Sequence, residues 1–315
     1  MTDEPISQED LVYVITASPD YLRDGICFAG RQSGLYRSDD GGNTWRFIYD
    51  SLKPQAPLPT TSIALSPNFA TDKSLFAGVA GGVLRSYDGG NNWLIAELPP
   101  PPPLVVCLVE SPNYSEDGTL LAGTLEDGVF CSVDRGNRWN TWNFGLLDLR
   151  ILAMAISPDF INDETVFVGT ETGIFRSTNG GRAWRESGFP SDLAPVISMV
   201  LSPDYQQDGT LFAGTESNGL YVSKDRGRTW NRLGQGIISP EVNAIILSPQ
   251  FADNADMLIL QNEVLLISHD GGRSWSDWKT DKDMNQSLTA VAAPLGFGRE
   301  AYLLVSQADG SIVKY

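Results

Sequence analysis

Carboxylates are the side chains in this sequence whose spacing could support chemistry. Pairs of carboxylates about 5 to 10 Å apart perform glycoside hydrolysis, and an arc of carboxylates with backbone carbonyls can coordinate Ca²⁺. The candidates recur at similar places in successive segments: Glu126, Asp127, Glu171, Glu216 and Glu263. Asp127, Glu171 and Glu216 are the candidates for hydrolysis. A solvated acidic face is the alternative to both kinds of site, and the sequence leaves these possibilities open.

Other reactive groups are scarce. The chain has one histidine, His269, and three cysteines, Cys27, Cys107 and Cys131. No zinc-ligand spacing and no Ser/His or Cys/His pair can be assembled from them, so we expect no metal, no cofactor and no nucleophilic catalysis. Cys27 and Cys107 lie in strand-like runs, which favours a role as small buried hydrophobic side chains.

Charge and composition exclude several partners. The 315 residues carry a formal net charge of −17 with a sequence pI of about 4.4. Phosphate binding needs clustered Lys and Arg, and no such stripe is visible, so we expect no nucleic-acid partner. No apolar stretch reaches membrane-spanning length, which predicts no membrane insertion. The start is acidic and lacks the pattern of a signal peptide, so a cytoplasmic location is expected.

A second set of aspartates belongs to an eight-residue box that occurs six times. The boxes begin at serines 45 to 48 residues apart and span Ser38–Trp45, Ser86–Trp93, Ser132–Trp139, Ser177–Trp184, Ser223–Trp230 and Ser268–Trp275. Their fixed acidic or amide residues and tryptophans are Asp40, Trp45, Asp88, Trp93, Asp134, Trp139, Asn179, Trp184, Asp225, Trp230, Asp270 and Trp275. An Asp in a turn accepts bonds from nearby N–H groups and Gly supplies a positive φ. We therefore interpret the boxes as structural hairpin turns, with each Trp buried between neighbouring units.

These residues resemble the Asp-box, or BNR repeat, of the sialidase-like β-propellers. The resemblance implies a propeller, and for the enzymes of that group it implies three converging arginines, a Tyr–Glu pair and an acid/base Asp. The Arg-Ile-Pro segment of those enzymes is missing here. Arg37, Arg85 and Arg176 recur at one repeat position before the box, which indicates blade packing or a salt bridge and not a catalytic triad.

Each repeat predicts four antiparallel strands, the blade of an all-β propeller. We expect one domain, residues 1–315, with seven blades at about 10–53, 61–98, 104–145, 151–189, 196–236, 242–280 and 287–315. The last blade lacks an outer strand, which residues 4 to 9 could supply. The Ser-Pro loops and the boxes should share one side of the ring, the box face. The links between second and third strands, and the connections between blades, should share the other, the connector face.

Two features break the repeat on the connector face. One is a set of prolines in the first two blade-to-blade connections: Pro54, Pro57, Pro59, Pro99, Pro100, Pro101, Pro102 and Pro103. A run of five prolines favours a stiff polyproline II segment that suits docking, although a rigid spacer is the alternative. The other feature is Trp142 and Trp278, each three residues after a box Trp. They are either rim aromatics or core, and we expect the rim.

Function is expected where the repeat breaks. The chain is also similar, in length and in having a single Asp-box propeller, to the seven-bladed assembly factors of photosystem II. Those work through a basic patch that this acidic chain does not show, so only a general role carries over. We predict a non-catalytic scaffold that presents loops of blades 1–3 to a protein partner. The alternative is a glycoside hydrolase or a carbohydrate-binding propeller that uses the acidic loop residues.

Overall fold

The structure is a computed structural model that describes residues 10–99, 103–278, 287–298 and 300–315. Its strands form seven separate antiparallel sheets, and within each sheet the strands follow one another in chain order. Six sheets have four strands and the last has three. The seven-bladed propeller expected from the repeat, including its incomplete last blade, is confirmed.

The strands are numbered along the chain and fall into four sets by position. The first strands are β1 (Val12–Ala17), β5 (Ser62–Leu65), β9 (Val105–Glu110), β13 (Ile151–Ile156), β17 (Val196–Leu201), β21 (Ala244–Leu247) and β25 (Leu288–Ala292). The second strands are β2 (Cys27–Arg31), β6 (Leu75–Val79), β10 (Leu120–Thr124), β14 (Val166–Thr170), β18 (Leu211–Thr215), β22 (Met257–Gln261) and β26 (Leu304–Gln307). The third strands are β3 (Leu35–Ser38), β7 (Gly82–Ser86), β11 (Val129–Ser132), β15 (Ile174–Ser177), β19 (Leu220–Ser223), β23 (Val264–Ser268) and β27 (Ile312–Lys314). The outer strands are β4 (Arg46–Phe47), β8 (Leu94–Glu97), β12 (Asn140–Thr141), β16 (Arg185–Glu186), β20 (Asn231–Leu233) and β24 (Ser276–Asp277).

First strands of consecutive blades contact one another around the ring, and β1 contacts β25, so they form the inner wall. The core is divided among seven clusters, each built from two neighbouring blades. In the cluster between blades 1 and 2, for example, Phe28 packs edge-on against Phe69 with ring centroids 5.7 Å apart. Each blade is therefore stabilised mainly by burying its two faces against its neighbours.

The Ser-Pro loops contain a regular element that the sequence analysis described only as loop. Each of the first six blades has a one-turn helix there: α1 (Tyr21–Asp24), α2 (Phe69–Asp72), α3 (Tyr114–Asp117), α4 (Phe160–Asp163), α5 (Tyr205–Asp208) and α6 (Phe251–Asn254). In blade 5, Ser202 donates to Asp208 at 2.6 Å, and the other Asp208 oxygen accepts the Thr210 N–H at 2.7 Å. Asp208, at the end of α5, thus holds together the two ends of the Ser-Pro loop.

Hydrogen bonds between side chains and loops join the last blade to the first. The hydroxyls of Tyr21 and Tyr302 are 2.9 Å apart, Arg31 Nη1 donates to the Gly310 carbonyl at 3.0 Å, and Lys314 Nζ donates to Asn43 Oδ1 at 2.8 Å. These bonds and the shared core cluster close the ring. The expectation that residues 4 to 9 supply an outer strand falls outside the described residues.

Two short 3₁₀ turns, Asp50–Leu52 and Ser191–Leu193, lie outside the repeat. In the described part of the chain, no helix is both long enough and apolar enough to cross a membrane.

Candidate functional site

The box carboxylates are engaged by their own turns. Asp225 Oδ1 accepts the backbone N–H groups of Arg228 and Thr229 at 3.0 and 2.9 Å, while its Oδ2 accepts the Thr229 hydroxyl at 2.6 Å. Bonds from the Thr229 side chain and backbone lower the pKa of Asp225 to about 2. An ionised carboxylate with its lone pairs occupied in this way holds a turn and is poorly suited to proton transfer.

Each box is also joined to the helix of its own blade. The residue after the box Asp or Asn donates its N–H to the carbonyl of the residue that ends the helix, as Gly41 does to Gly25 at 2.9 Å and Arg226 to Gly209 at 3.0 Å. The same bond occurs in all six boxes. The box face is therefore built from two turns per blade that hold each other.

The recurring strand arginines connect neighbouring blades. Arg37 Nη1 donates to the Gly89 carbonyl in the next box at 2.5 Å, Arg85 bonds the Asn137 side chain in the box after that, and Arg176 Nη1 donates to Arg226 O at 3.3 Å. Because each guanidinium bonds the following blade and the three arginines do not meet one another, they do not form a triad, and the bonds are consistent with a role in blade packing.

Two of the acidic link residues, Glu171 and Glu126, lie close enough to Arg150 to stabilise its charge. Glu171 accepts two bonds from Arg150 Nη1 at 2.8 Å, and this contact raises the pKa of Arg150 above its usual value. Asp127 is half-buried, with its backbone bonded to Thr124 and Asn143. Glu126, Glu216 and Glu263 are exposed. No group of three His, Cys, Asp or Glu side chains among the described residues is arranged to hold a metal ion.

The three cysteines are free thiols. Cys27 and Cys131 are buried and Cys107 is half-buried. Burial raises the pKa of each thiol to about 12, which leaves them unreactive at neutral pH. His269, exposed on the box face, contacts Asp256 at 2.7 Å. These side chains therefore provide no nucleophile.

An apolar cleft lies on the connector face of blade 2. Val79, Leu84 and Leu98 are almost fully buried and form its floor, at 3, 1 and 4% exposure. Leu58, from the connection between blades 1 and 2, and Ile95, on β8, line its sides. The volume is about 440 Å³. We call this the blade 2 cleft.

The edge strand beside the cleft is apolar and exposed. Leu94 and Ile95 on β8 are 54 and 58% exposed, and β8 is the longest of the outer strands in the described residues. An edge strand has free N–H and C=O groups to which an added strand can bond. Cleft and edge together offer apolar contact and main-chain hydrogen bonds at one place.

The proline connections border this region. Pro54 and Pro57 are exposed and Pro59 is half-buried. Pro99 is exposed, but Pro103 is buried, and its carbonyl accepts the Gly81 N–H at 2.8 Å. Pro103 therefore has a spacer role that fixes the floor of the cleft, which corrects its assignment to the contact surface. Pro100, Pro101 and Pro102 lie outside the described residues.

The two extra tryptophans differ from the expected rim position. Trp278 is only 5% exposed and packs edge-on against Phe297 at 6.2 Å, so it is core between blades 6 and 7 and the rim assignment is wrong. Trp142 is half-buried against blade 4, where Arg182 lies 5.0 Å from its ring and its carbonyl accepts the Trp184 indole N–H at 2.7 Å. Both rings belong to interfaces between blades.

The sequence analysis missed two exposed apolar side chains in the connection that follows Trp142. Phe144 is 81% exposed and Leu147 is 76% exposed. The signal was present, because Asn143-Phe144-Gly145-Leu146-Leu147 has an apolar composition in a segment that belongs to no strand. Exposed aromatic and aliphatic side chains near one another are typical of contact surfaces.

The fold is a seven-bladed β-propeller with an apolar cleft on the connector face of blade 2. No protein-family model matches the chain, and a comparison with curated proteins finds no match. Solved structures do match, at low sequence identity. YCF48 bound to a D1 peptide matches with a TM-score of 0.67 at 15% identity, over 98% of this chain and 93% of that one. YCF48 from Cyanidioschyzon merolae matches with a TM-score of 0.68 at 14% identity, over 99% of this chain and 97% of that one.

Larger proteins match as well. A GH74 xyloglucanase from Xanthomonas campestris gives a TM-score of 0.73 at 18% identity, over 96% of this chain and 51% of that one. The chain thus spans about half of the enzyme. The extracellular domain of a putative one-component system from B. thetaiotaomicron matches with a TM-score of 0.70 at 16% identity, over 98% of this chain and 38% of that one. These matches show the fold alone. Because one is an extracellular domain, the fold does not discriminate between compartments, and the cytoplasmic location stays a prediction.

Proposed function

We propose that this propeller is a non-catalytic scaffold that binds an extended apolar segment of a partner protein along the connector face of blade 2. The single observation that carries the proposal is the blade 2 cleft beside the exposed apolar edge of β8. A segment added to β8 would gain main-chain hydrogen bonds, and its apolar side chains would enter the cleft. The exposed Pro54 and Pro57, in the connection that also supplies Leu58, extend the contact surface.

The comparisons support this proposal at the level of class. One matched propeller is YCF48 bound to a D1 peptide, so a propeller of this fold can bind a peptide. We infer further that the six boxes are Asp-boxes in the sense of the sialidase-like repeat. Their carboxylates hold turns and are not offered to a ligand.

The proposal can be tested with peptides selected from a random display library against the purified chain. Ile95→Glu adds a charge beside the cleft, and Val133→Glu is the matched control because Val133 is 56% exposed within the blade 3 box. Binding of the selected peptides, measured by fluorescence polarisation, should weaken at least tenfold in Ile95→Glu and stay within twofold in Val133→Glu. If no peptide is enriched, or if Ile95→Glu binds normally, the proposal fails.

A carbohydrate-binding or hydrolytic role is the second candidate, and a groove in blade 6 favours it. Gln261, Asn262, Glu263 and Asp277 line a space of about 750 Å³ together with the apolar Ile237, Val264 and Leu266. Amides and carboxylates recognise sugar hydroxyls, and the fold matches GH74 enzymes. Turnover of chromogenic glycosides that is lost in Glu263→Gln or Glu171→Gln would support this role. No turnover and no oligosaccharide binding by calorimetry would exclude it.

A further inference from the structure

Blade 1 shows how the propeller accommodates two arginines opposite each other on adjacent strands. Arg37 on β3 pairs in register with Arg46 on β4. Like charges placed directly across a sheet repel. Asp39 relieves the repulsion because Arg37 Nε donates to its Oδ1 at 2.8 Å and Arg46 Nε lies 3.4 Å from its Oδ2. One carboxylate is therefore shared between the two guanidinium groups.

Blade 4 has the same pair of arginines without the carboxylate. Arg176 on β15 is in register with Arg185 on β16, the repeat positions of Arg37 and Arg46. Thr178 stands where blade 1 has Asp39, and Asn179 stands where the other five boxes have Asp. In the part of the chain that the structure describes, neither arginine forms an ion pair, and the buried Nε of Arg176 has no hydrogen-bond partner. Blade 4 has lost two negative charges next to two positive ones.

The neighbouring blade adds more positive charge at the same place. Arg226 and Arg228 in the blade 5 box occupy positions that are Gly89 and Asn91 in blade 2. All four arginines line one groove between blades 4 and 5, of about 400 Å³. Glu186 also lines it but forms no ion pair with them among the described residues.

The wall of the groove is fixed in place by backbone. Gly188 donates its N–H to Gly227 O at 2.9 Å, and a Cβ at Gly188 would lie 1.9 Å from Arg228 O. We call this space the arginine groove.

We propose that the arginine groove binds the carboxylates of an acidic peptide segment, one carboxylate taking the place between Arg176 and Arg185 that Asp39 has in blade 1. Guanidinium groups bind planar carboxylates with two parallel hydrogen bonds. Arg226 Nη2 already donates to the Gln206 carbonyl at 2.7 Å, so Arg228 is the residue that offers a place for a second carboxylate. The groove is larger than one carboxyl group needs, which favours a segment over a single ion. Because the rest of the chain is strongly acidic, an acidic segment is repelled elsewhere and directed to this groove.

This inference rests on the proposed function, because it names the chemistry of a partner segment, but it uses a different surface. A fluorescent hexaglutamate peptide is the probe, with hexaglutamine as the uncharged comparison. Thr178→Asp restores the carboxylate of blade 1 and should fold well, since it neutralises a repulsive pair. Ala70→Asp adds the same charge at an exposed site on α2 and is the control.

Fluorescence polarisation should show hexaglutamate binding at least tenfold more tightly than hexaglutamine. Thr178→Asp should weaken the hexaglutamate complex at least tenfold, Ala70→Asp should change it less than twofold, and Ile95→Glu should leave it unchanged. Equal binding of the two peptides, or normal binding by Thr178→Asp, would overturn the inference. Competition by citrate or inorganic phosphate at concentrations equal to those of the peptide would assign the groove to a free anion and overturn the peptide assignment. If Ile95→Glu loses the selected library peptides but still binds hexaglutamate, the result concerns the blade 2 cleft and supports a separate site in the arginine groove.

Discussion

Glu110 is the one carboxylate at the end of an inner strand, a position that is apolar in every other blade. The equivalent residues are Ala17, Leu65, Ile156, Leu201, Leu247 and Ala292. Desolvation by the surrounding strands raises the pKa of Glu110 to about 7. The folded protein therefore keeps this proton at pH values where the unfolded chain has released it.

The raised pKa of Glu110 predicts that the free energy of unfolding depends on pH. Between the ordinary glutamate value of 4.5 and about 7, the folded state binds more protons than the unfolded state, so stability falls as pH rises through that window. Glu110→Leu and the isosteric Glu110→Gln remove the titration. In urea unfolding, their stability relative to wild type should improve by about 1 to 2 kcal/mol between pH 5 and pH 8. A difference that does not change with pH would contradict the assignment.

At the scale of single residues, the sequence predicted the role of the repeated box residues but not the positions of tryptophans outside the boxes. Asp225 and the equivalent residues of the other boxes occupy turns because the local sequence Ser-x-Asp-x-Gly specifies the hydrogen bonds that the carboxylate accepts from the serine hydroxyl and the turn N–H groups. Trp278 could not be placed in the same way. Its burial depends on Phe297, which approaches it from the next blade and is distant in sequence.

At the scale of the element, the contact between blades 4 and 5 leaves no space for a side chain. Gly188→Ala would set a methyl group against Arg228 O, where a Cβ would be 1.9 Å away. Since a backbone carbonyl cannot move aside without shifting the box, we expect a loss of about 2 kcal/mol or more in the free energy of unfolding. Gly298→Ala is the control, because nothing lies within 4 Å of its Cβ, and it should stay within about 0.5 kcal/mol. Equal effects of the two changes in denaturant unfolding would refute the packing argument.

Strand order and blade number followed from the repeat, because a period of 45 to 48 residues with four apolar runs permits few arrangements. The blade 2 cleft did not follow from it. Its lining combines Leu58, Val79 and Leu98, which come from a connection, a second strand and the end of an outer strand. Only the folding of blade 2 with the connection that precedes it brings those three residues together.

At the scale of the whole molecule, the seam between blades 7 and 1 differs from the seam between blades 1 and 2. Trp93 Nε1 donates to Ile48 O in the preceding blade at 2.7 Å, whereas the buried Nε1 of Trp45 has no partner in the described chain. The blade before Trp45 is the three-stranded one, and its β27 has a sheet neighbour on one side only among the described residues. The seam therefore combines an open edge with an unsatisfied donor.

Hydrogen exchange measured by mass spectrometry should reveal this difference. Amides of β27 should exchange faster than those of β19, the third strand of blade 5, which is paired on both sides. Local opening is easiest where fewer neighbours must be broken. Equal protection of the two strands would mean that the edge of β27 is covered, as the sequence-based expectation for residues 4 to 9 requires.

The bond between each box and its own helix has a consequence for engineering. Both turns of the box face are locked within a single repeat, so their geometry does not depend on the connection between blades 1 and 2 on the opposite side. The exposed stretch from residue 53 to 57 is therefore a graft site, where foreign loops can be displayed and diversified as they are on an antibody framework, while the disk beneath keeps its geometry.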